Sequence, residues 1–352
     1  MIREGWFHGR AARRFTLQWH LTNACLRSCR HCYDRSDRGA PGLPQALAAL
    51  ADFRGFCRRR RVTPQISLTG GDPLCYAHFW ELYAAIAEAG MRVSILGNPV
   101  GDEVIRRLIA VGPPAYYQVS LEGLREHNDT VRGDGHFEQT LAFLAAARRL
   151  GLATHVMLTL TSANCDQVLR LGEALRGLTA RFTFNRLAQV GRGADLELPD
   201  KPVFVRLLRQ YLAARRTNPV LGIKENLLGI VARRTRRRSL PGCTGCGCGA
   251  AFNFVALLPD GEVHACRKYP SLLGNLRTAK LGEIYDGPAA QQYRAGPAGC
   301  RGCRLRRHCR GCPAVVFGQG LDPLRDRDPY CFVDERAGID GPQRPGYRGA
   351  TV

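Results

Sequence analysis

The sequence has few lysines and no long apolar run. Only four of its 352 residues are lysine, the other 47 basic residues are arginine, and the formal net charge is +21. No stretch of 18 apolar residues occurs, which argues against a transmembrane helix. The first stretch, MIREGWFHGRAARRF, has no apolar segment of the kind that a secretion signal needs. These absences predict a cytoplasmic protein with no membrane partner.

Cysteine, by contrast, is abundant, with 15 residues in the chain. Thiols stay reduced in the cytoplasm, so metal binding is a more natural use of so many cysteines than disulfide bonding. The high positive charge could attract an anionic partner. Because it accompanies a general abundance of arginine, alanine, glycine and leucine, we interpret it as a solvated basic surface rather than a nucleic-acid site.

The hydrophobic pattern alternates between strand and helix. It predicts strands at 15–22, 66–74, 91–99, 116–123, 153–161 and 180–188. It predicts helices at 44–61, 76–90, 102–111, 137–151, 165–178 and 201–215, and leaves 124–136 as a loop. Such alternation indicates βα units around a parallel sheet. The predicted fold class is α/β, a partial (β/α)6 TIM-like barrel followed by a C-terminal cysteine-rich domain.

Composition divides the chain into four predicted parts. The barrel occupies residues 1–200, and a helical basic linker with an arginine-rich run occupies 201–240. Residues 241–335 are rich in cysteine and poor in long apolar periods, so we expect metal, rather than a large core, to hold them together. The last part, 336–352, has the composition of a disordered tail.

The loop after the first strand carries three closely spaced cysteines. In CLRSCRHCY (25–33), the spacing C-x3-C-x2-C places Cys25, Cys29 and Cys32 at the end of the barrel where such folds have their active sites. A closed zinc site needs four ligands, whereas a catalytic metal site keeps one position open. Three thiolates can hold three irons of a cubane cluster and leave the fourth iron open. The alternative is a structural zinc or thiol site.

This cysteine motif resembles that of radical S-adenosylmethionine (SAM) enzymes. The resemblance implies that Cys25, Cys29 and Cys32 are the catalytic cluster ligands. It also implies that the open iron binds the amino and carboxylate groups of SAM, and that an electron from the cluster splits SAM into methionine and a 5′-deoxyadenosyl radical. The radical then abstracts a hydrogen atom from the substrate.

Other strand ends support the same resemblance. TGGDP (69–73) resembles the family's GGE stretch with an aspartate in place of glutamate, LGNP (96–99) matches the end of the third strand, and VSLEGLREHNDTVRGDGHF (119–137) resembles an "SLDG…HD…R…G…F" segment. Within that segment we expect His127, Asp129 and Arg132 to order the loop before the next helix. The resemblance implies cofactor-binding roles for His31, Gly70, Gly71, Asp72, Asn98, Ser120 and Glu122.

The cysteines of the last third resemble a SPASM domain. The pattern is C-x12-G-x4-C from Cys248 to Cys266, then C-x2-C-x5-C-x2-C, then a last cysteine after a gap. The family pattern has x3 before the cysteine that matches Cys312. The resemblance implies two auxiliary 4Fe–4S clusters, and therefore three in all. The first would use Cys248, Cys266, Cys312 and either Cys243 or Cys246, of which we prefer Cys243; the second would use Cys300, Cys303, Cys309 and Cys331.

SPASM enzymes mostly modify peptides made on the ribosome. The resemblance implies a precursor peptide as substrate, a net oxidation, and an electron donor such as flavodoxin or ferredoxin. HCYDRSDR (31–38) and YYQVSLEGL (116–124) resemble the maturases of thio(seleno)oxazole-type peptides. Sulfatase-maturing members have an aspartate directly after the cysteine that matches Cys266, and Arg267 stands there instead, which argues against that activity. The alternatives are a radical SAM oxidoreductase of a small molecule, a tRNA-modifying relative, and a noncatalytic iron–sulfur carrier or zinc protein.

Overall fold

The computed structural model describes residues 13–234, 247–306 and 309–333. Three sequence-based expectations lie outside these ranges. They concern Cys243 and Cys246, most of the arginine-rich run with the end of the proposed linker, and the expected tail at 336–352.

Nine strands and eleven α-helices make up the described fold. The strands are β1 Arg14–Thr22, β2 Thr63–Gly70, β3 Arg92–Leu96, β4 Tyr117–Ser120, β5 Thr154–Leu160, β6 Arg181–Arg186, β7 Phe254–Leu257, β8 Glu262–His264 and β9 Leu272–Asn275. The helices are α1 Leu43–Arg60, α2 Phe79–Glu88, α3 Asp102–Val111, α4 Arg125–Arg132, α5 His136–Arg149, α6 Val168–Ala174, α7 Lys201–Ala214, α8 Leu228–Arg234, α9 Leu281–Asp286, α10 Pro288–Ala295 and α11 Pro313–Gly318. Among these described helices, none combines the length and the apolar character that crossing a bilayer would require.

The sheet confirms the predicted fold class. Its strand order is β6-β5-β4-β3-β2-β1-β7-β8-β9, and every neighbouring pair from β6 to β1 is parallel. Helices α1, α2, α3, α5, α6 and α7 follow β1 to β6 in turn, with α4 preceding α5. Six βα units therefore form the open parallel sheet that the alternating pattern indicated.

Strand β1 shows how the sheet builds the interior. Successive side chains of a strand point to opposite faces, and all residues of β1 after the first are buried. One face carries Phe15 and Trp19 into the apolar core. The other carries Gln18 and His20, which are also buried, 2% and 1% exposed. Polar side chains therefore line the inner face of the sheet that leads toward the cysteine loop.

One predicted loop is a helix. Residues Arg125–Arg132 form α4, where the sequence pattern had left a loop. The apolar pattern missed this helix because its one buried residue is the polar Asn128. Asn128 accepts a hydrogen bond from the Glu122 backbone N–H, at 3.0 Å, and donates to His136 Nδ1, at 3.1 Å. Hydrogen bonding, rather than an apolar stripe, holds α4 in place.

The carboxy-terminal region shares the core of the barrel. Strand β7 pairs in parallel with β1 and continues into the antiparallel strands β8 and β9, so the sheet is continuous. The ring of Tyr285 packs edge-on against Phe15 and Phe56, with centroids 5.3 and 5.1 Å apart. The expectation that metal rather than a large core holds this region is therefore incomplete, because apolar packing joins it to the barrel. The four proposed boundaries stay a prediction.

Candidate active site

The three cysteines of the first loop line one cleft at the carboxyl ends of the strands. Cys25, Cys29 and Cys32 are all half-buried and share this cleft with residues from the ends of β2, β3, β4 and β5. The cleft encloses about 1180 Å³, including its open mouth.

Backbone groups of the loop stabilise the thiols in this arrangement. The Arg27 N–H donates to Cys25 Sγ at 3.4 Å, and the Cys32 N–H donates to the Cys29 carbonyl at 3.3 Å. Burial raises the pKa of Cys29, so its bare thiolate is disfavoured, whereas coordination to a metal deprotonates a thiol outright. Three thiols that line one cleft, one of them accepting a backbone N–H, fit a cluster that is held by three cysteines.

The end of β2 lies very close to the start of the cysteine loop. The Gly71 N–H donates to the Thr22 carbonyl at 2.7 Å, and the next N–H donates to the Ala24 carbonyl at 2.8 Å. A Cβ on Gly70, whose φ is 137°, would lie 2.0 Å from the Thr22 carbonyl oxygen, and one on Gly71 would lie 2.3 Å from the Ala24 oxygen. Both positions therefore require glycine, and both glycines line the cleft.

Asp72 and Asn98 form a pair beside Cys25. Asn98 Nδ2 donates to Asp72 Oδ2 at 2.7 Å and lies 3.6 Å from Cys25 Sγ. Asp72 is buried, which raises the pKa of its carboxyl, and it does not line the cleft, whereas Asn98 does. The Asp72 carboxylate thus holds the Asn98 amide against the cysteine. A direct contact of either residue with SAM stays a prediction.

Of two predicted cofactor-binding residues after β3, Ser120 lines the cleft and Glu122 does not. Ser120 lines the cleft at the end of β4. Glu122 is 1% exposed, lies behind the cleft wall, and accepts the Thr159 N–H at 2.7 Å and Arg132 Nε at 2.9 Å. Burial opposes its ionisation, but His31, with Nε2 3.3 Å away, and Arg132 outweigh burial and hold the pKa of Glu122 well below its usual range. Glu122 is therefore an ionised anchor for two cleft residues.

Arg132 is a cleft residue whose place the sequence did not indicate. It ends α4, lines the cleft, and directs Nη1 toward Cys29 Sγ at 3.7 Å. Asp129, in contrast, orders the turn before α5 as predicted, since its carboxylate accepts the Phe137 N–H at 2.8 Å. The opposite charges of Glu122 and Arg132 were the one signal in the sequence for their pairing. Ten positions separate the two residues, and no periodic pattern connects them.

His31 links the cleft to a second cavity. Its ring lines both spaces, and Nδ1 has no hydrogen-bond partner among the described residues. The 191–193 turn packs against the loop here, with the Arg192 N–H donating to the Cys32 carbonyl at 2.9 Å. The expectation that this ring packs near adenine stays a prediction.

One wall of the cleft comes from the carboxy-terminal region. Arg267 and Lys268, directly after Cys266, both line the cleft with His20 and Tyr33. The Arg267 guanidinium lies 5.6 Å from the centre of the Tyr33 ring and donates from Nη1 to Gln18 Oε1. The sequence singled out Arg267 only because it was not aspartate. Its place in the cleft follows from the pairing of β7 with β1 and of β8 with β7, which brings the segment after β8 to the cleft.

Four of the predicted auxiliary ligands meet in one place. Cys300, Cys303, Cys309 and Cys331 line a single small cavity. Burial raises the pKa of Cys309 to about 12, so this thiol gives up its proton readily only to a metal. Arg327 Nη2 lies 3.7 Å from Cys331 Sγ. This donor set fits a four-cysteine cluster, although its occupancy stays a prediction.

Three more of the predicted cluster ligands, Cys248, Cys266 and Cys312, lie among the described residues. Cys266 and Cys312 pack against a small cluster that contains Ala188 and Tyr269. Cys248 is buried, and its N–H donates to the Cys309 carbonyl at 3.3 Å. The fourth thiol of this set, from Cys243 or Cys246, lies outside the described residues, so the choice between them stays open.

Comparison with known proteins identifies the family. Residues 19–172 match the radical SAM superfamily, and residues 248–313 match the SPASM iron–sulfur cluster-binding domain. The chain is 30% identical to mycofactocin maturase MftC of Mycobacterium ulcerans over 90% of this chain and 87% of that protein. It is 24% identical to the AdoMet-dependent heme synthase of Methanosarcina barkeri, over 90% and 95%.

A solved structure has the same fold. Streptococcus suis SuiB, in a crystal structure bound to its precursor peptide SuiA, superposes with a TM-score of 0.70 at 18% identity, over 92% of this chain and 76% of that chain. At this identity the likeness concerns the fold alone. Together with the family matches and the MftC relationship, the cleft shows that this chain belongs to the radical SAM enzymes with a SPASM domain, and that its cofactors are 4Fe–4S clusters and S-adenosylmethionine.

Proposed function

We propose that the protein cleaves SAM reductively and uses the product to oxidise a ribosomally made peptide. The observation that carries this proposal is the convergence of Cys25, Cys29 and Cys32 in one open cleft, which no fourth cysteine lines in the described part of the chain. When bound there, a reduced 4Fe–4S cluster supplies the electron that splits SAM into methionine and a 5′-deoxyadenosyl radical, which takes a hydrogen atom from the substrate.

The residues around the cysteines then have separate tasks. Arg132 places a positive charge 3.7 Å from Cys29 Sγ, where it stabilises the thiolate and can bind the SAM carboxylate. Glu122 holds Arg132 and His31 in position from behind the wall. Ser120 presents a hydroxyl on the same cleft. We therefore propose binding roles for Arg132 and Ser120 and a positioning role for Glu122.

The carboxy-terminal cysteines supply the redox capacity for an oxidation. We assign the cavity lined by Cys300, Cys303, Cys309 and Cys331 to one auxiliary cluster and Cys248, Cys266 and Cys312, with one further thiol, to another. Clusters that are ligated entirely by protein have no open iron for a substrate, and they suit electron transfer. Loss of a hydrogen atom, an electron and a proton would complete a two-electron oxidation of the substrate.

The structure of SuiB, which holds its precursor peptide SuiA, supports a peptide as substrate, and the relative with 30% identity is also named as a maturase. The heme synthase relative, which is covered over 95% of its length, favours a small molecule as the second candidate. The two differ in one measurable respect. If the substrate is a peptide, adding a precursor peptide should increase SAM consumption, the peptide should show an oxidative change in mass, and a porphyrin should have neither effect.

The electron donor is proposed to be an acidic flavodoxin or ferredoxin. The net charge of +21 gives the protein a field that attracts acidic partners and raises their association rate. Such steering weakens as salt is added. Reduction by flavodoxin, followed as 5′-deoxyadenosine release, should therefore slow markedly with ionic strength, whereas reduction by dithionite should depend on it much less.

The central test is anaerobic. Protein with three cubane clusters should contain about twelve irons per chain, and it should release 5′-deoxyadenosine when given dithionite and SAM. Cys29→Ala should abolish this release and lose about four irons. Cys165→Ala is the matched control, because it removes a half-buried thiol that is not among the predicted cluster ligands. This variant should keep the release of 5′-deoxyadenosine and the full iron content. Release by Cys29→Ala equal to that of the control would refute the proposal.

A further inference from the structure

The cleft has a cationic wall that the cofactor site does not account for. Arg267 and Lys268 line it side by side, and within the described ranges neither forms a salt bridge with a carboxylate. Arg267 Nη1 donates to the neutral Gln18 side chain, and its buried Nε has no partner. Two positive charges on a half-buried wall thus have no carboxylate partner among the described residues.

Of the other charged residues that line the cleft, Arg132 and Asp34 are paired, whereas Arg27 and Arg35 of the cysteine loop donate to neutral groups. Arg132 is paired with the buried carboxylate of Glu122. Asp34, the one acidic residue among those that line the cleft, accepts the Ser36 N–H at 2.9 Å and lies 3.7 Å from Arg38 Nε. The wall that follows β8 is therefore one of two places, with the cysteine loop, where cationic side chains of the cleft have no carboxylate partner among the described residues. A charged group in such a place is stabilised when an anion binds it.

This wall and Arg132 contact different parts of the cysteine loop. Arg132 comes from α4 and reaches Cys29, whereas Arg267 comes from the carboxy-terminal region and lies against Tyr33. His20 is beside it and is 1% exposed, and its Nε2 has no partner among the described residues. Burial and the charge of Arg267 lower the pKa of His20 to about 3. The ring is therefore neutral and leaves the positive charge of the wall to Arg267 and Lys268.

We propose that Arg267 and Lys268 bind a carboxylate of the substrate and so hold the reacting residue in the cleft. This inference rests on the proposed function and specifies its substrate. A guanidinium binds a planar carboxylate through paired N–H donors, and a neighbouring ammonium adds a point charge. The carboxylate can be the carboxy terminus of a peptide or an aspartate or glutamate side chain, and both sources present the same chemistry.

Three capped peptides can serve as probes on cluster-loaded protein in the presence of SAM. Acetyl-Ala-Ala-Ala with a free carboxy terminus tests the terminal carboxylate, acetyl-Ala-Asp-Ala-amide tests the side chain, and acetyl-Ala-Ala-Ala-amide carries no carboxylate. Titrations followed by NMR of the probe give the affinities. We expect at least one acidic probe to bind about tenfold more tightly than the amide, which corresponds to one charge-assisted contact. The acid that is preferred identifies the source.

Matched variants test whether this wall is responsible. In Arg267→Gln/Lys268→Gln the preference for the acid should disappear, and in Arg267→Lys/Lys268→Arg, which keeps both charges, it should largely remain. Arg277→Gln/Lys280→Gln removes the same two residue types from exposed positions outside the cleft and should keep the full preference. Equal iron content in all variants shows that folding and cluster loading are intact.

The outcomes separate the inference from the function on which it rests. The inference is overturned if wild-type protein binds the acids and the amide equally, or if the wall variant keeps the preference. It is also overturned if the wall variant only raises the SAM concentration needed for 5′-deoxyadenosine release, because the wall would then bind the cofactor. Absence of 5′-deoxyadenosine from wild-type protein would refute the proposed function instead, whatever the probes show.

Discussion

Arg186 of β6 and Asp328 form a fully buried bidentate ion pair between the barrel and the cysteine-rich region. Arg186 Nη1 and Nη2 lie 2.8 and 2.7 Å from the two carboxylate oxygens, and neither side chain is more than 2% exposed. The Asp328 carboxylate also accepts the Cys312 N–H at 2.9 Å, and its carbonyl accepts the Cys331 N–H at 2.8 Å. One residue thus fixes two cysteines that are predicted to serve different clusters.

Removal of this arginine should destabilise the protein strongly. Arg186→Met leaves Asp328 and Glu225 buried together without a cation, and breaking a buried pair in this way costs about 3–5 kcal/mol. Arg149→Met, which breaks an exposed pair with Asp102, is the matched control and should change the stability little. Anaerobic urea unfolding measures both. Equal midpoints for the two variants would show that the buried pair does not hold the two regions together.

The close approach of β2 to the cysteine loop predicts a sharp effect at Gly70. Gly70→Ala would place a Cβ 2.0 Å from the Thr22 carbonyl oxygen, so the loop must move and the cluster should be lost. Gly101→Ala, with nothing within 4 Å of the added Cβ, should keep the cluster. Iron content and the visible absorption of anaerobic protein measure the effect. A fully loaded Gly70→Ala protein would contradict the geometry.

Arg132 should affect the use of SAM. Arg132→Gln removes the cation beside Cys29 and leaves Glu122 buried with less compensation. We expect the SAM concentration for half-maximal 5′-deoxyadenosine release to rise about tenfold, as for the loss of one charge-assisted contact. Arg125→Gln on the same helix, whose side chain is 65% exposed, is the control. An unchanged SAM requirement in Arg132→Gln would confine this residue to a structural role.

His136 should make the stability depend on pH. Burial, aided by Arg132 and Arg27, lowers the pKa of His136 to about 4, whereas an unfolded histidine titrates near 6.5. As the pH falls below 6.5 the unfolded chain takes up a proton that the folded protein does not, so the folded state is progressively destabilised until about pH 4. The loss should reach about 1 kcal/mol at pH 5.5.

His136→Gln keeps an acceptor for Asn128 but cannot titrate. Anaerobic urea titrations at pH 7.5 and pH 5.5 give the unfolding free energy at each pH. Between pH 7.5 and pH 5.5 the variant should lose about 1 kcal/mol less of this free energy than the wild type loses. Parallel curves for the two proteins would show that His136 is not the source of the dependence.

The sequence was sufficient wherever the signal was local. The six parallel strands follow from short apolar segments that alternate with helical periods, and the cleft thiols follow from the spacing of Cys25, Cys29 and Cys32 at the end of the first strand. Glycines 70 and 71 were also identifiable, because a close approach of two backbones excludes every other side chain. These features depend on residues that are neighbours along the chain, so a short segment of sequence contains the information that determines them.

The tertiary structure decided the contacts between distant residues. Helix α4 could not be predicted because its buried face is the hydrogen-bonded Asn128 rather than an apolar stripe. Arg267 reaches the cleft because β7 pairs with β1, across more than 230 residues of sequence. Such placements depend on how strands pair and how the whole sheet curves, and no periodicity or spacing within a segment encodes them. The sequence determined which groups are present at the strand ends, and the fold determined which charges meet there.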